Sequence, residues 1–144
     1  MKATVRVLLF GLLVAILSAC GSPSEPGELE GNSIAVDGGS YMDVTPDDLQ
    51  TMLAAKDFIF INVHIPFEGN IPGTDLSIPF DQMAGNLELL PQDKDAKIVL
   101  YCRSDRMSRI AAETLIEAGY SNVWNLDGGF NAWKDAGLPF EENK

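Results

Sequence analysis

Residues 98–115 read IVLYCRSDRMSRIAAETL and hold two periodicities, with one thiol at the change between them. Ile98–Tyr101 is apolar at every position and β-prone, the pattern of a strand covered on both faces. Over residues 104–118 the apolar positions Met107, Ile110, Ala111, Leu115 and Ala118 recur at helical spacing, and Gly119 stands where a helix stop belongs. Cys102 lies at the junction, and Arg103, Arg106 and Arg109 fall within the seven residues that follow it.

The same alternation extends outward. FIFINVH, residues 58–64, is a second almost wholly apolar run and predicts another buried strand. SYMDV and SNVWNL, residues 40–44 and 121–126, are shorter strand candidates. TPDDLQTMLAA, residues 45–55, carries a strong helix start: Thr45 as N-cap, Pro46 in the first helical position and Asp48 placed for a capping box. IPFEGNIPG, residues 65–73, reads as loop. LSIPF predicts a short strand, FDQMAGNLELL one or two short helices, and FNAWKDAG a last short helix after the turn DGG at 127–129. Strands that alternate with helices and are apolar throughout indicate an α/β domain with a parallel sheet. In such sheets ligands sit beyond the carboxyl ends of the strands, and Tyr101-Cys102 lies at such an end.

A cysteine between a strand and a helix N-terminus meets free backbone N–H groups and the positive end of the helix dipole. Both favour thiolate over thiol, and neighbouring arginines add to the effect. The same N–H groups suit an anionic substrate. The bland alternative is a buried structural cysteine, a common core residue. His64, the single histidine, has no evident metal partners and reads as a hydrogen-bonding loop residue; Trp124 and Trp133 read as core, with Trp133 also expected to wall the active-site side.

The chain's ends bound its surroundings. Lys2 and Arg6 precede an apolar run over residues 7–17, the layout of a secretory signal and too short for a comfortable membrane span. The run ends in LSAC, which resembles the lipobox of bacterial lipoproteins; that implies cleavage before Cys20 and lipid on its thiol. Residues 1–19 are thus expected to be a signal peptide and 20–39, rich in Gly, Ser, Pro and Glu, a lipidated flexible tether. The expected location is the extracytoplasmic side of a bacterial membrane, with the lipid as the only membrane contact. Of two cysteines this leaves Cys102 as the one free thiol. With Lys2 and Arg6 set aside, eight basic residues stand against 21 acidic ones, a net charge of about −13 that disfavours nucleic acid as a partner.

The stretch VLYCRSDRMSRIAAETLIEAGYSNVWNLDGGFNAW is similar to the rhodanese (sulfurtransferase) family, and FIFINVHIPFEGNIPG resembles its second-strand motif. The resemblance covers residues 40–140, within a rhodanese-like domain expected over 40–141, and implies a five-stranded parallel sheet flanked by helices on both faces. It implies that the Cys102 thiolate takes the outer sulfur of a small anionic donor, thiosulfate or polysulfide, and passes it as a persulfide to a thiol or cyanide. No cofactor and no metal are implied. The matching loop is Cys102, Arg103, Ser104, Asp105, Arg106, Met107 and Ser108, whose N–H groups are expected to converge on the sulfur. Asp105 stands where the family commonly has glycine, so its carboxylate is expected near the anionic donor. Asn62 and His64 stand where the family usually has Asp and Arg, and the customary Gly-His pair after Glu68 is missing. A persulfide carrier or sensor serving one partner is the alternative function. A phosphatase or arsenate reductase of related fold needs an arginine six places after the cysteine, where this chain has Ser108 and places Arg109 one step later.

Overall fold

Every residue of Ile98–Tyr101 (β6) is buried, as its unbroken apolar run requires, and this strand lies at the middle of the sheet. The computed structural model describes residues 31–143; the expected signal peptide and Cys20 lie outside them. The described chain runs through Asn32–Val36 (β1), Gly39–Val44 (β2), Pro46–Ala54 (α1), Ile59–Asn62 (β3), Gly69–Asn70 (β4) and Leu76–Ser77 (β5). A 3₁₀ segment over Phe80–Leu89, broken at Asn86, leads to β6; then come Arg106–Glu117 (α2), Val123–Leu126 (β7), Gly129–Asp135 (α3) and Glu141–Glu142 (β8). The main sheet has six strands in the order β1-β2-β7-β6-β3-β5. From β2 to β5 along the sheet order all neighbours are parallel, which gives the five parallel strands that the family resemblance implies.

The sixth strand is a difference from the sequence-based expectation. Residues 32–39 belong to a hairpin, not to a tether: β1 pairs antiparallel with β2 across the two-residue turn Asp37-Gly38. Gly38 takes φ +84, the left-handed conformation that short hairpin turns demand. The alternating exposure of β1 puts Ile34 and Val36 against the core.

The period-two pattern of β6 divides the core. Ile98 and Leu100 face Ala111, Ala112 and Leu115 of α2, together with Ile61, Met83 and Val123. Val99 and Tyr101 face the other side, with Leu49 of α1 and Phe130 and Trp133 of α3. Cys102 has the parity of Ile98 and Leu100, so its side chain is delivered to the α2 face. Ile110, expected on the apolar face of α2, is instead 38% exposed. Trp133 packs in the α3 core and donates from Nε1 to the Pro139 carbonyl at 2.7 Å; it does not line the pocket beside Cys102.

The predicted helix ends hold. Thr45 Oγ1 accepts from the Asp48 N–H at 3.2 Å, and the Asp48 carboxylate accepts from the Thr45 N–H at 3.4 Å. At the far end of α2, the N–H groups of Gly119 and Tyr120 donate to the carbonyls of Ile116 and Leu115, a Schellman stop with Gly119 at φ +91. A second, two-stranded ribbon pairs β4 with β8 and ties residues 141–142 to the loop after β3, where Asn143 N–H also donates to the Glu68 carbonyl at 2.9 Å. Among the described residues no helix is long and apolar enough to cross a membrane.

Gly128 and Gly129 start α3 with φ +74 and +58. A Cβ on Gly129 would lie 2.4 Å from the Cys102 carbonyl oxygen and 2.6 Å from the Arg103 carbonyl carbon. Both are backbone atoms with no freedom to yield. Gly129→Ala is therefore expected to destabilise the domain by about 3 kcal/mol or more, a fall in Tm of roughly 10 °C or greater. Gly85→Ala, where an added Cβ meets nothing within 4 Å, is the control and should leave thermal unfolding nearly unchanged.

Candidate active site

β6 ends at Tyr101 and α2 begins at Arg106, with four residues between them, so Cys102 opens the short loop that joins the end of the sheet to the first turn of α2. The residue is only 2% exposed, yet it forms part of a pocket of about 390 Å³. The other lining residues are His64, Ile65, Pro66, Glu68, Arg103, Ser104, Arg106 and Met107. Cys102 is the single free cysteine of the described residues. Behind it lies Ser108, fully buried, with Oγ 3.4 Å from Sγ and 3.0 Å from the Asp105 carbonyl oxygen. One hydroxyl hydrogen cannot serve both acceptors at once. With a thiol present it can remain on the carbonyl; a negatively charged sulfur draws it across, because a charge-assisted hydrogen bond is about twice as strong as a neutral one.

Asp105 does not occupy the place expected of it. Its backbone takes φ +85, the left-handed conformation for which glycine is usual. Its carboxylate turns away from the pocket, which it does not line. Oδ1 accepts from the Gly128 N–H at 2.9 Å and from Asn125 Nδ2 at 3.2 Å, while Oδ2 lies 3.8 Å from Arg109. The side chain thus fastens the cysteine loop to the turn between β7 and α3 and offsets the backbone strain. With the backbone in the left-handed region, the carboxylate meets the hydrogen-bond donors of the neighbouring turn and not the pocket.

The three arginines divide between two tasks. Arg103 lines the pocket and donates from Nη1 to Glu68 Oε1 at 3.2 Å. Arg106 also lines it and makes no ion pair among the described residues. Arg109 faces the opposite way, 3.5 Å from carboxylate oxygens of Asp43 and of Asp127. Burial opposes its charge, but Asp105, Tyr41, Asp43 and Asp127 together push its pKa up. Burial likewise raises the pKa of the Asp43 carboxyl, against the opposing effects of Asn125 and Arg109. The guanidinium is committed to this acidic cluster and clamps nothing in the pocket.

The loop after β3 supplies the facing wall. Asn62 Nδ2 donates to the Gly69 carbonyl at 2.8 Å and to Asn70 Oδ1 at 3.0 Å, and Asn62 Oδ1 accepts from the His64 N–H at 2.9 Å. Asn62 thereby shapes the loop, and the His64 ring lies edge-on to Phe130 with centroids 5.3 Å apart. His64 Nε2 lies 2.9 Å from Glu68 Oε1, the oxygen that Arg103 also reaches. The hydrogen bond from His64, helped by Arg103, lowers the Glu68 pKa. Glu68 is a site residue that sequence reasoning missed; its spacing of four from the single histidine was the available signal.

Comparison with known proteins agrees with this architecture. The rhodanese-like domain family matches residues 43–136. A sulfurtransferase of Allochromatium vinosum is 34% identical over 93 residues, covering 62% of this chain and 84% of the relative. A tRNA uridine(34) hydroxylase of Erwinia tasmaniensis is 30% identical over 115 residues, but this chain spans only 32% of its length. Among solved structures, a rhodanese-like domain protein of Staphylococcus aureus is 29% identical, with a TM-score of 0.57, covering 69% of this chain and 97% of the other. A thiol at the carboxyl end of the central strand, in a fold and sequence shared with these proteins, makes this chain a member of the rhodanese-like domain family.

Proposed function

We propose that the protein is a sulfurtransferase that carries sulfur on Cys102. The observation that supports this best is the lone thiol at the head of α2, backed by the Ser108 hydroxyl and opening to a pocket lined by Arg103 and Arg106. The thiolate attacks the outer sulfur of a sulfane donor. The donor's S–S bond breaks, and its electron pair leaves with the departing group: sulfite from thiosulfate, a thiolate from a persulfide. Cys102 is left as a persulfide, whose terminal sulfur keeps the negative charge. A nucleophilic acceptor, cyanide or a thiolate, then attacks that outer sulfur and releases the Cys102 thiolate for the next cycle. Ser108 Oγ supplies the one hydrogen bond that reaches Sγ among the described residues, where converging loop N–H groups were expected, and with the positive end of the α2 dipole it suits a charge that stays on sulfur throughout.

Oxyanion hydrolysis of the phosphatase type fits less well, because Arg109 is engaged by Asp43, Asp105 and Asp127 away from the pocket. The resemblance to tRNA uridine(34) hydroxylases covers under a third of this chain's relatives in that group and lends no substrate. A lipid on Cys20 that holds the domain outside the cytoplasm remains part of the proposal; incorporation of a labelled fatty acid into the wild type and not into Cys20→Ala tests it.

Incubation with thiosulfate or a persulfide is expected to add one sulfur atom to the protein, located on Cys102 by mass spectrometry and removed by cyanide. Cys102→Ser should gain none; a wild-type chain that gains no sulfur from any donor overturns the proposal. Comparing loading with cyanide-dependent turnover separates an enzyme from a dedicated carrier, which would load readily and turn over slowly. Ser108→Ala is expected to slow loading by on the order of tenfold, the worth of one hydrogen bond to a charged atom, with little change in thermal unfolding.

A further inference from the structure

Glu68 places a negative charge in the wall of a pocket otherwise suited to anions. Its Oε1 is held by two donors, His64 Nε2 at 2.9 Å and Arg103 Nη1 at 3.2 Å. His64 Nδ1 is sealed from solvent and has no partner. The two contacts fix the carboxylate in place in the pocket wall.

Arg103 and Arg106 line the pocket against Glu68 and the reacting Cys102 thiolate, so its charged side chains already balance before a donor enters. The carboxylates of Asp43, Asp105 and Asp127 gather on Arg109 and line no part of it. Ile65, Pro66 and Met107 add an apolar stretch of wall. A dianion therefore brings two uncompensated charges where a monoanion brings one, and Glu68 already occupies Arg103. A monoanion bearing an organic group is repelled less and also meets the apolar wall.

We infer that Glu68 makes this pocket selective for singly charged sulfane donors with an organic group, thiosulfonates and hydropersulfides, over the thiosulfate dianion. The inference rests on the sulfurtransferase proposal. For a thiosulfonate, the Cys102 thiolate bonds to the outer sulfur, the S–S bond breaks, and a sulfinate leaves with the electron pair. For a hydropersulfide, the leaving group is the corresponding thiolate.

Methanethiosulfonate and thiosulfate test it, since they differ chiefly by a methyl group in place of a charged oxygen. Single-turnover loading of Cys102 is followed by intact mass, and each rate is divided by that of free glutathione with the same donor. The corrected preference of the full-length protein for methanethiosulfonate is expected to fall about tenfold in Glu68→Gln, equivalent to about 1.4 kcal/mol, mainly through faster loading from thiosulfate. Arg106→Gln, a change at an exposed side chain, should raise the same preference. An unchanged preference in folded Glu68→Gln overturns the inference, as does an unchanged or lowered one in Arg106→Gln should the first variant not fold. Failure of the wild type to load from either donor would instead overturn the sulfurtransferase proposal itself.

Discussion

Two lengths of backbone meet at Gly129, and the candidate site is arranged around that meeting. The N–H groups of Phe130 and Asn131 donate to the carbonyls of Cys102 and Arg103 at 2.9 and 3.1 Å. The start of α3 thereby satisfies polar groups that the cysteine loop would otherwise leave unpaired as it turns from strand to helix. Only a residue without a side chain permits this approach, and only a left-handed backbone permits the turn that precedes it. Once the loop is held from below, Cys102 inherits its direction from the parity of β6 and faces the first turn of α2.

The charges around this scaffold are sorted by side. On one side of the loop, Arg109 collects Asp43, Asp105 and Asp127 into a structural cluster. On the other, Arg103, Arg106 and Glu68 surround the opening above the thiol. Asp105 belongs to the first group because its donors are there, and this relieves the pocket of a carboxylate. The strain of its φ +85 is offset by hydrogen bonds from Gly128 and Asn125. A chain with so few basic residues thus places three of them between the cysteine loop and the first turn of α2, one bound into a structural cluster and two lining the pocket.

What the sequence made legible was local or periodic. The buried strands β3 and β6, the Thr45 capping box and the Gly119 stop each depend on neighbours within a few residues, and each could be read directly. The thiol's place at a strand end followed from the same patterns. What could not be read depended on distant partners. The direction of Asp105 is set by Gly128 and Asn125, some 20 residues away. Ile110 has helical spacing suited to the core, but the stripe that α2 buries is centred on Ala111, Ala112 and Leu115. Strand β1 was hidden by its polar, glycine-rich surroundings, although Asp37-Gly38 between two alternating runs is a hairpin signal in its own right. Glu68 acquires its role only when the chain brings Arg103 across from another strand end.

The ribbon of β4 and β8 makes the tail of the chain a strut for the pocket's far wall. Glu141 and Glu142 pair with the residues immediately after Glu68, and Asn143 bonds to the Glu68 carbonyl itself. Shortening the protein at Pro139, or fusing a bulky reporter directly to its last residues, would loosen the segment that carries the pocket's one carboxylate while leaving the central sheet intact. Fusions intended to preserve the natural site therefore belong after a spacer.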